Sequence, residues 1–524
     1  MGMATPPREQ HRQGEASDSA SRNANGRVTQ RLPFRSVGAP LRYPAAPAQH
    51  ELPLPVKKVR RSLTHFVRAA FINRNFALLW WGQAISTVGD YAWDTALILW
   101  IASFLAMGQS WAPLAVSGVV LAAALPQVVV GPIAGVFVDR WDKRRTMIVM
   151  AVLQAIIATL LVLAALNIPF PYVGNEQFQN FGRIIAVYID VVALSICAQF
   201  FVPAQFALIK DIVPEQQQDQ ALETSQAIQG LAVIIGPPLA AALVFGLGVG
   251  WALVLDAASF VVVVLAIFAI KSPPSAHSLA PGEAGHFSRE FLDGLGYVIQ
   301  HRVLRTILVA EVLTWLGFGA LESLGYFFIT ENLHAPASDY GLLGADFGVG
   351  AIAGALLVTF VGQRIGLERL LWIALVTSGL FVIVMSHLTS LYPALVAAFL
   401  FGVSTTAIIV TAGPLALHGT SREFVGRVMA VINPLGRLAA LISVVLAGYF
   451  ASTVLQGFHA SLLGIAFGPV DTVFTGMGLL AVIGGVYARI SLRDTIIEAA
   501  SSDEEPSSGA NEAEDGLDKP QQTS

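Results

Sequence analysis

Gly135-Val-Phe-Val-Asp139-Arg140-Trp141-Asp142-Lys143-Arg144-Arg145 joins two long apolar runs and puts six charges within seven residues. Charges so dense between two membrane-length segments read as a tight turn in water at a bilayer surface. Four of the six are basic, which assigns that surface to the cytoplasm, because Lys and Arg are retained on that side. The orientation of every other segment follows from this turn.

From Phe76 onward, apolar segments alternate with short connections, and each crossing needs about 20 residues. The segments fall near 77–105, 112–137, 146–167, 182–208, 221–246, 250–270, 303–330, 339–361, 369–388, 391–416, 427–453 and 470–492. Loop charge tests the count. The even-numbered connections carry Arg140, Lys143, Arg144 and Arg145, then Lys210, then Lys271, Arg289 and Arg302, then Arg364 and Arg369, then Arg422. The odd-numbered connections (106–111, 168–181, 247–249, 331–338, 389–390, 454–469) hold no Lys or Arg, with Arg183 a near-exception at the outer end of the fourth span. Miscounting by one helix would scramble that partition. The expected fold is therefore all-α and integral to the membrane, with twelve transmembrane helices and both termini cytoplasmic.

Composition agrees. With 55% hydrophobic and 13% charged residues, a 524-residue chain is too apolar for a soluble globular protein. A lone cysteine, Cys197, excludes an internal disulfide and any Cys-x-x-Cys metal site. The metalloprotease pattern His-Glu-x-x-His, the nucleophile elbow Gly-x-Ser-x-Gly and the phosphate loop Gly-x-x-x-x-Gly-Lys-Ser/Thr are all absent. No enzyme activity, cofactor, metal or nucleic-acid partner is expected.

The organisation follows. Residues 1–70 read as a disordered basic tail ending in Lys57-Lys58-Val-Arg60-Arg61, which suits anionic headgroups. Residues 71–270 form a first six-helix bundle, 271–302 a proline-bearing cytoplasmic linker and 303–493 a second bundle. The remainder, 494–524, is an acidic, disordered tail. The bundles echo each other: a shift of 228 lays Gln83, Ser86, Gly89 and Asp94 onto Glu311, Thr314, Gly317 and Glu322, and a shift of 206 lays Gly230 onto Gly436. Two related bundles around a midplane site are a transporter plan.

Charges inside the bilayer each cost about 2.5–3.5 kcal/mol on insertion scales and ask for a reason. In the first span Gln83, Ser86, Asp90 and Asp94 recur at helical spacing, so they share one face. Glu311, Thr314 and Glu322 form a second stripe in the seventh span. Together the stripes would line a wet central cavity, where carboxylates bind a cationic substrate or accept a proton. Asp90 and Glu311 also suit a bond to a neighbouring helix or to a buried Arg. Arg437, the basic residue deep in a span, suits a counter-ion to one of the acids, in a structural or a coupling role. Asp256 and Asp346 stand within a turn or two of the outer surface and are explained by a short reach to water. In the fifth span Gly230 and Gly236-Pro237-Pro238 suggest a bend beside the cavity.

The pattern Gly135-x-x-x-Asp139-Arg140-x-Asp142-Lys143-Arg144 resembles the loop 2–3 signature of the major facilitator superfamily, with Asp142 where glycine is usual. Asn73-Arg74-Asn75-Phe76, Gly89-Asp90 and Asp256-Ala-Ala-Ser-Phe260 are similar to the branch of bacterial macrolide and enterobactin exporters. The resemblance covers about 70–495. It implies two rocking halves, an Asp139 that contacts the start of the eleventh span near Gly426, and basic residues that latch a cytoplasmic gate. The antiporter pattern of the fifth span is matched at Gly236-Pro237, while Ala232 and Ala240-Ala241 replace its other glycines.

The function expected is secondary active transport in the cell membrane: proton-coupled export of small lipophilic or cationic compounds, drug-, macrolide- or siderophore-like, by a monomer. Proton-coupled uptake of a small metabolite is the nearest alternative. A transporter-like receptor or a lipid-handling membrane protein is the alternative from another class.

Overall fold

Asn73 starts the first span and ties it down. Its side chain accepts from Phe76 N at 2.8 Å, closing the N-cap, and its Nδ2 donates to the Ile212 carbonyl at 2.7 Å. Two residues on, Asn75 Nδ2 donates to the Lys271 carbonyl at 2.8 Å. The Asn-x-Asn pair thus fastens the last turns of the fourth and sixth spans beside the beginning of the first.

This computed structural model describes residues 72–138, 140–166, 176–271, 287–418, 420, 424–462 and 465–504. Asp139, Arg422, the tail 1–70, the linker prolines and the end of the acidic tail lie outside them. Residues Val59–Ser524 form one compact unit. The spans of the first half are Arg74–Trp100, Ala112–Val129 with its continuation Gly131–Val138, Lys143–Ala165, Glu176–Ile212, Gln218–Gly246 and Val249–Ala269. Those of the second are Arg302–Phe327, Tyr340–Ile365, Leu367–Ser386, Leu391–His418, Val425–Tyr449 and Pro469–Glu504.

Eleven helices among the described residues are long and apolar enough to cross a membrane. Arg74–Trp100 is as long but carries Gln83, Asp90 and Asp94, which lower its hydropathy, and it completes twelve. Large apolar side chains such as Trp81, Ile156, Leu160, Leu265 and Val396 face outward, as a lipid-embedded surface requires. The second span breaks at Val130, just before Pro132, which has no N–H to continue the ladder.

Helix pairing repeats between the halves. The first span packs on the fifth and sixth, and the seventh on the eleventh and twelfth. The third packs on the fourth and sixth, as the ninth does on the tenth and twelfth, and the second packs on the fourth as the eighth does on the tenth. The first and seventh spans also both end in a π-helical turn, Ile101–Leu105 and Phe328–Asn332. The repeat glimpsed in sequence is a repeat of architecture.

Between the halves, the second span meets the eleventh and the fifth meets the eighth. These contacts lie towards the end away from the signature loop. There one cluster of buried apolar residues runs through both halves, from Leu97, Leu105 and Val116 to Leu324, Phe328 and Phe474. At the signature-loop end the buried residues divide. One cluster, around Phe76, Met147 and Leu208, belongs to the first half. Another, around Ile307, Leu371 and Leu492, belongs to the second. The halves are joined at one end and have separate cores at the other.

Two segments depart from the sequence reading. Within the linker, Phe287–Gln300 is a helix whose Tyr297 stacks on Phe424 at 4.4 Å and whose Val298 is fully buried. The twelfth helix runs on to Glu504, into the stretch read as a disordered acidic tail. A short antiparallel hairpin, Ala460–Leu462 with Ile465–Phe467, occupies the connection before it.

Candidate functional site

The signature loop is anchored inside its own half. Asp142 Oδ1 accepts from Arg145 N at 2.7 Å, so the aspartate that replaces the usual glycine is the N-cap of the third span. Lys143 Nζ meets Asp211 Oδ2 at 2.9 Å. Arg144 donates to the carbonyls of Ile267 (3.2 Å) and Phe268 (2.8 Å), capping the sixth span, where a cation also suits the helix dipole. Arg140 is exposed, and the space around Gly135 is open.

Further in, the polar stripe of the first span lines a cavity of ≈ 280 Å³. Gln83, Asp90 and Asp94 contribute from the first span, Gln154 from the third, Gln205 from the fourth and Gln229 from the fifth, with Phe201, Phe206 and Phe260 as apolar walls. A smaller cavity of ≈ 150 Å³ adjoins it, since Asp90, Asp94 and Gln154 line both, and it adds Gln127, Ser195 and Asp256. Asp94 lies deep among the helices yet is exposed, which fits the wall of a water-filled vestibule rather than a sealed core.

Glu322 comes from the opposite half. It too is exposed, and it stands within electrostatic reach of Asp94, as do Tyr91 and Tyr340. Asp94 and Glu322 are thus acids of opposite halves within reach of each other's charge, with Asp94 alone of the two in the wall of the cavity. Glu311 does not join them: its Oε1 accepts from Trp315 Nε1 at 2.8 Å, one turn along the same helix. Arg437 Nη1 donates to Gln127 Oε1 at 2.7 Å, so its partner across the halves is a neutral amide rather than one of the acids.

Gly236 packs on Tyr91 and Ala92 of the first span, where a Cβ would collide. Pro237 stands against Gly341 and Gly344 of the eighth span, so Gly236-Pro237 lies where two halves meet. Both prolines sit inside one continuous helix. Around Gly230, by contrast, there is open space.

Asp256 corrects the sequence reading. It has no short reach to water: it is 1% exposed, and its Oδ1 has no hydrogen-bond partner. Asp346 is half-buried with Oδ2 unpartnered. The glutamines of the third, fourth and fifth spans were missed altogether. A search for charges passes over neutral amides, although an amide in an apolar run is also costly unless it meets water or a partner.

The profile of a family described as transmembrane secretion effector matches residues 67–495. This chain belongs to that family, within the major facilitator superfamily. Among the relatives of this chain is YkuC, an MFS-type transporter of Bacillus subtilis (strain 168). The two are 21% identical over 432 residues, covering 80% of this chain and 93% of the relative. Macrolide efflux protein A of Streptococcus pyogenes is 23% identical over 389 residues, covering 72% of this chain and 90% of the relative. A crystal structure of a bacterial homologue of the iron transporter ferroportin in an inward-facing state has the same fold, with a TM-score of 0.61. It is 15% identical and is matched over 80% of this chain and 98% of its own. The chain is thus a multi-pass membrane transporter of the major facilitator superfamily, similar in sequence to macrolide efflux proteins.

Proposed function

We propose that the protein is a proton-driven exporter of the plasma membrane. It takes small lipophilic or cationic compounds from the cytoplasm and releases them outside. The signature-loop end is the cytoplasmic end, as the loop charges require, and both termini lie there. One observation carries the reading: Asp94 lines a polar cavity of the first half, Glu322 of the second half lies within electrostatic reach of it, and the two helix packs have separate cores at the signature-loop end. In this reading the cavity takes its cargo from the cytoplasm.

Asp94 and Glu322 are the carboxylates that exchange cargo for protons, and the aromatic and amide walls accept an amphipathic guest. The likeness to macrolide efflux protein A makes a bulky, weakly basic compound the first class to try. The chain acts as a monomer and performs no chemistry on its cargo. Cells loaded with erythromycin or ethidium test this. Expression should speed loss of one of these compounds, an uncoupler should stop it, and Asp94→Asn should abolish the driven component while the protein still reaches the membrane. Accumulation instead of loss would make the protein an importer, and unaltered export by Asp94→Asn would remove that residue from the mechanism.

A further inference from the structure

Behind the vestibule lies a carboxyl group without a use in the account above. Asp256, on the sixth span, lines the smaller cavity together with Asp90, Asp94, Gln127, Gln154 and Ser195. Its Oδ1 stands against Gly89 of the first span, 2.9 Å from where a Cβ would be. That oxygen is buried and meets no donor. Of the neighbouring hydroxyls, Ser259 donates to the Asp256 carbonyl at 2.7 Å and stands beside its carboxyl group without satisfying Oδ1, and Ser195 donates to the Ala123 carbonyl.

The charged side chains whose field reaches Asp256 are all acids. Asp90 and Asp94 face it from the first span and Asp190 from the fourth, the last 6% exposed with Oδ2 likewise unpartnered. From the third span the cavity receives neutral Gln154, and Arg144 of that span is bound at the other end of the sixth. Arg437 reaches the cavity's edge only as far as Gln127. Four negative charges without a cation in such a space would be very costly.

We propose that Asp256 is a buried proton-binding site, a store set one step behind the carboxylates of the vestibule. A hydronium ion in the vestibule gives its proton to Asp90 or Asp94, leaving water, and the proton passes inward to the Asp256 carboxylate. The occupied acid is neutral and lets the first and sixth spans pack at Gly89. Its loss puts a charge between them. What that proton drives rests on the exporter reading; that it is bound there does not.

Infrared difference spectroscopy of the purified full chain tests this without any cargo. A C=O band of a protonated carboxylic acid should be present in neutral buffer and should shift slowly in heavy water, because Asp256 is buried. Asp256→Asn should remove that slowly exchanging band, and Asp94→Asn should leave it. If Asp256→Asn is not recovered folded, Asp256→Glu keeps the acid and should move the band. A slow band unchanged in both Asp256 variants, or one lost equally in Asp94→Asn, would overturn the proposal. A chain that exports nothing yet keeps the band would refute the exporter reading alone.

Discussion

Gly341 offers a direct way to pry the halves apart. A Cβ on this residue of the eighth span would lie 2.6 Å from the Pro237 carbonyl oxygen and 3.0 Å from Ala241 Cβ on the fifth. Carbon and oxygen settle at about 3.3 Å or more, so in Gly341→Ala the two helices must part by roughly 0.7 Å. Backbone gives less readily than a side-chain tip, and overpacking of this kind costs about 1–3 kcal/mol. That cost falls on conformations in which the fifth and eighth spans are pressed together. It is relieved when the end away from the signature loop opens. A bias of that size changes the ratio of the two states roughly 5- to 150-fold. Spin labels at Gln109→Cys and Glu331→Cys, in a Cys197→Ala background, sit at exposed positions of opposite halves at that end, the first on a connection and the second on the last turn of the seventh span. Double electron–electron resonance should show a longer-distance population growing in Gly341→Ala. Gly246→Ala, on the same fifth span with nothing within 4 Å, should match the wild type. An unchanged distance distribution in Gly341→Ala, or an equal change in Gly246→Ala, would refute the reasoning.

Gly89→Ala should abolish transport or folding, because its Cβ would lie 2.8 Å from Ser259 Oγ and 2.9 Å from Asp256 Oδ1, whereas Gly230→Ala meets open space and should transport normally. Thermal melting of the two in detergent, alongside an efflux assay, separates these outcomes. Asp142→Ala should lower stability by about 1 kcal/mol through loss of the N-cap, and Asp142→Gly by only about a few tenths, read as a graded fall in melting temperature. Arg437→Ala removes the bond to Gln127 that joins the halves; both partners are exposed, so the effect should be a changed efflux rate with an unchanged melting temperature.

Most of the architecture is legible in the chain because a bilayer imposes two rules at once: a length on each crossing and a side on each Lys or Arg. Most observed spans accordingly lie within a few residues of the apolar runs, while the fourth starts earlier, at Glu176, and the twelfth runs on to Glu504. Helices that obey neither rule escaped. Phe287–Gln300 is held by Tyr297 on Phe424 and by Val298 in the core of the second half, contacts that no local pattern announces. The stripe of Gln83, Asp90 and Asp94 was readable because its spacing is set within one helix. What completes the cavity comes from other spans, and so do the partners. Arg437 finds Gln127 rather than an acid, and Glu311 finds Trp315, because distances across the bundle depend on crossing geometry. Asp256 looked close to the surface by residue count, but the packing of Gly89 over it closes that route.

The undivided apolar cluster at one end of the molecule has a thermal consequence. Admitting water there would wet hydrocarbon surface that is now dry, and wetting such surface raises heat capacity. Whatever step opens that mouth should have an activation enthalpy that drifts with temperature. An Eyring plot of turnover would then bend where this step limits the cycle and run straighter where the opposite mouth does, marking which gate sets the pace.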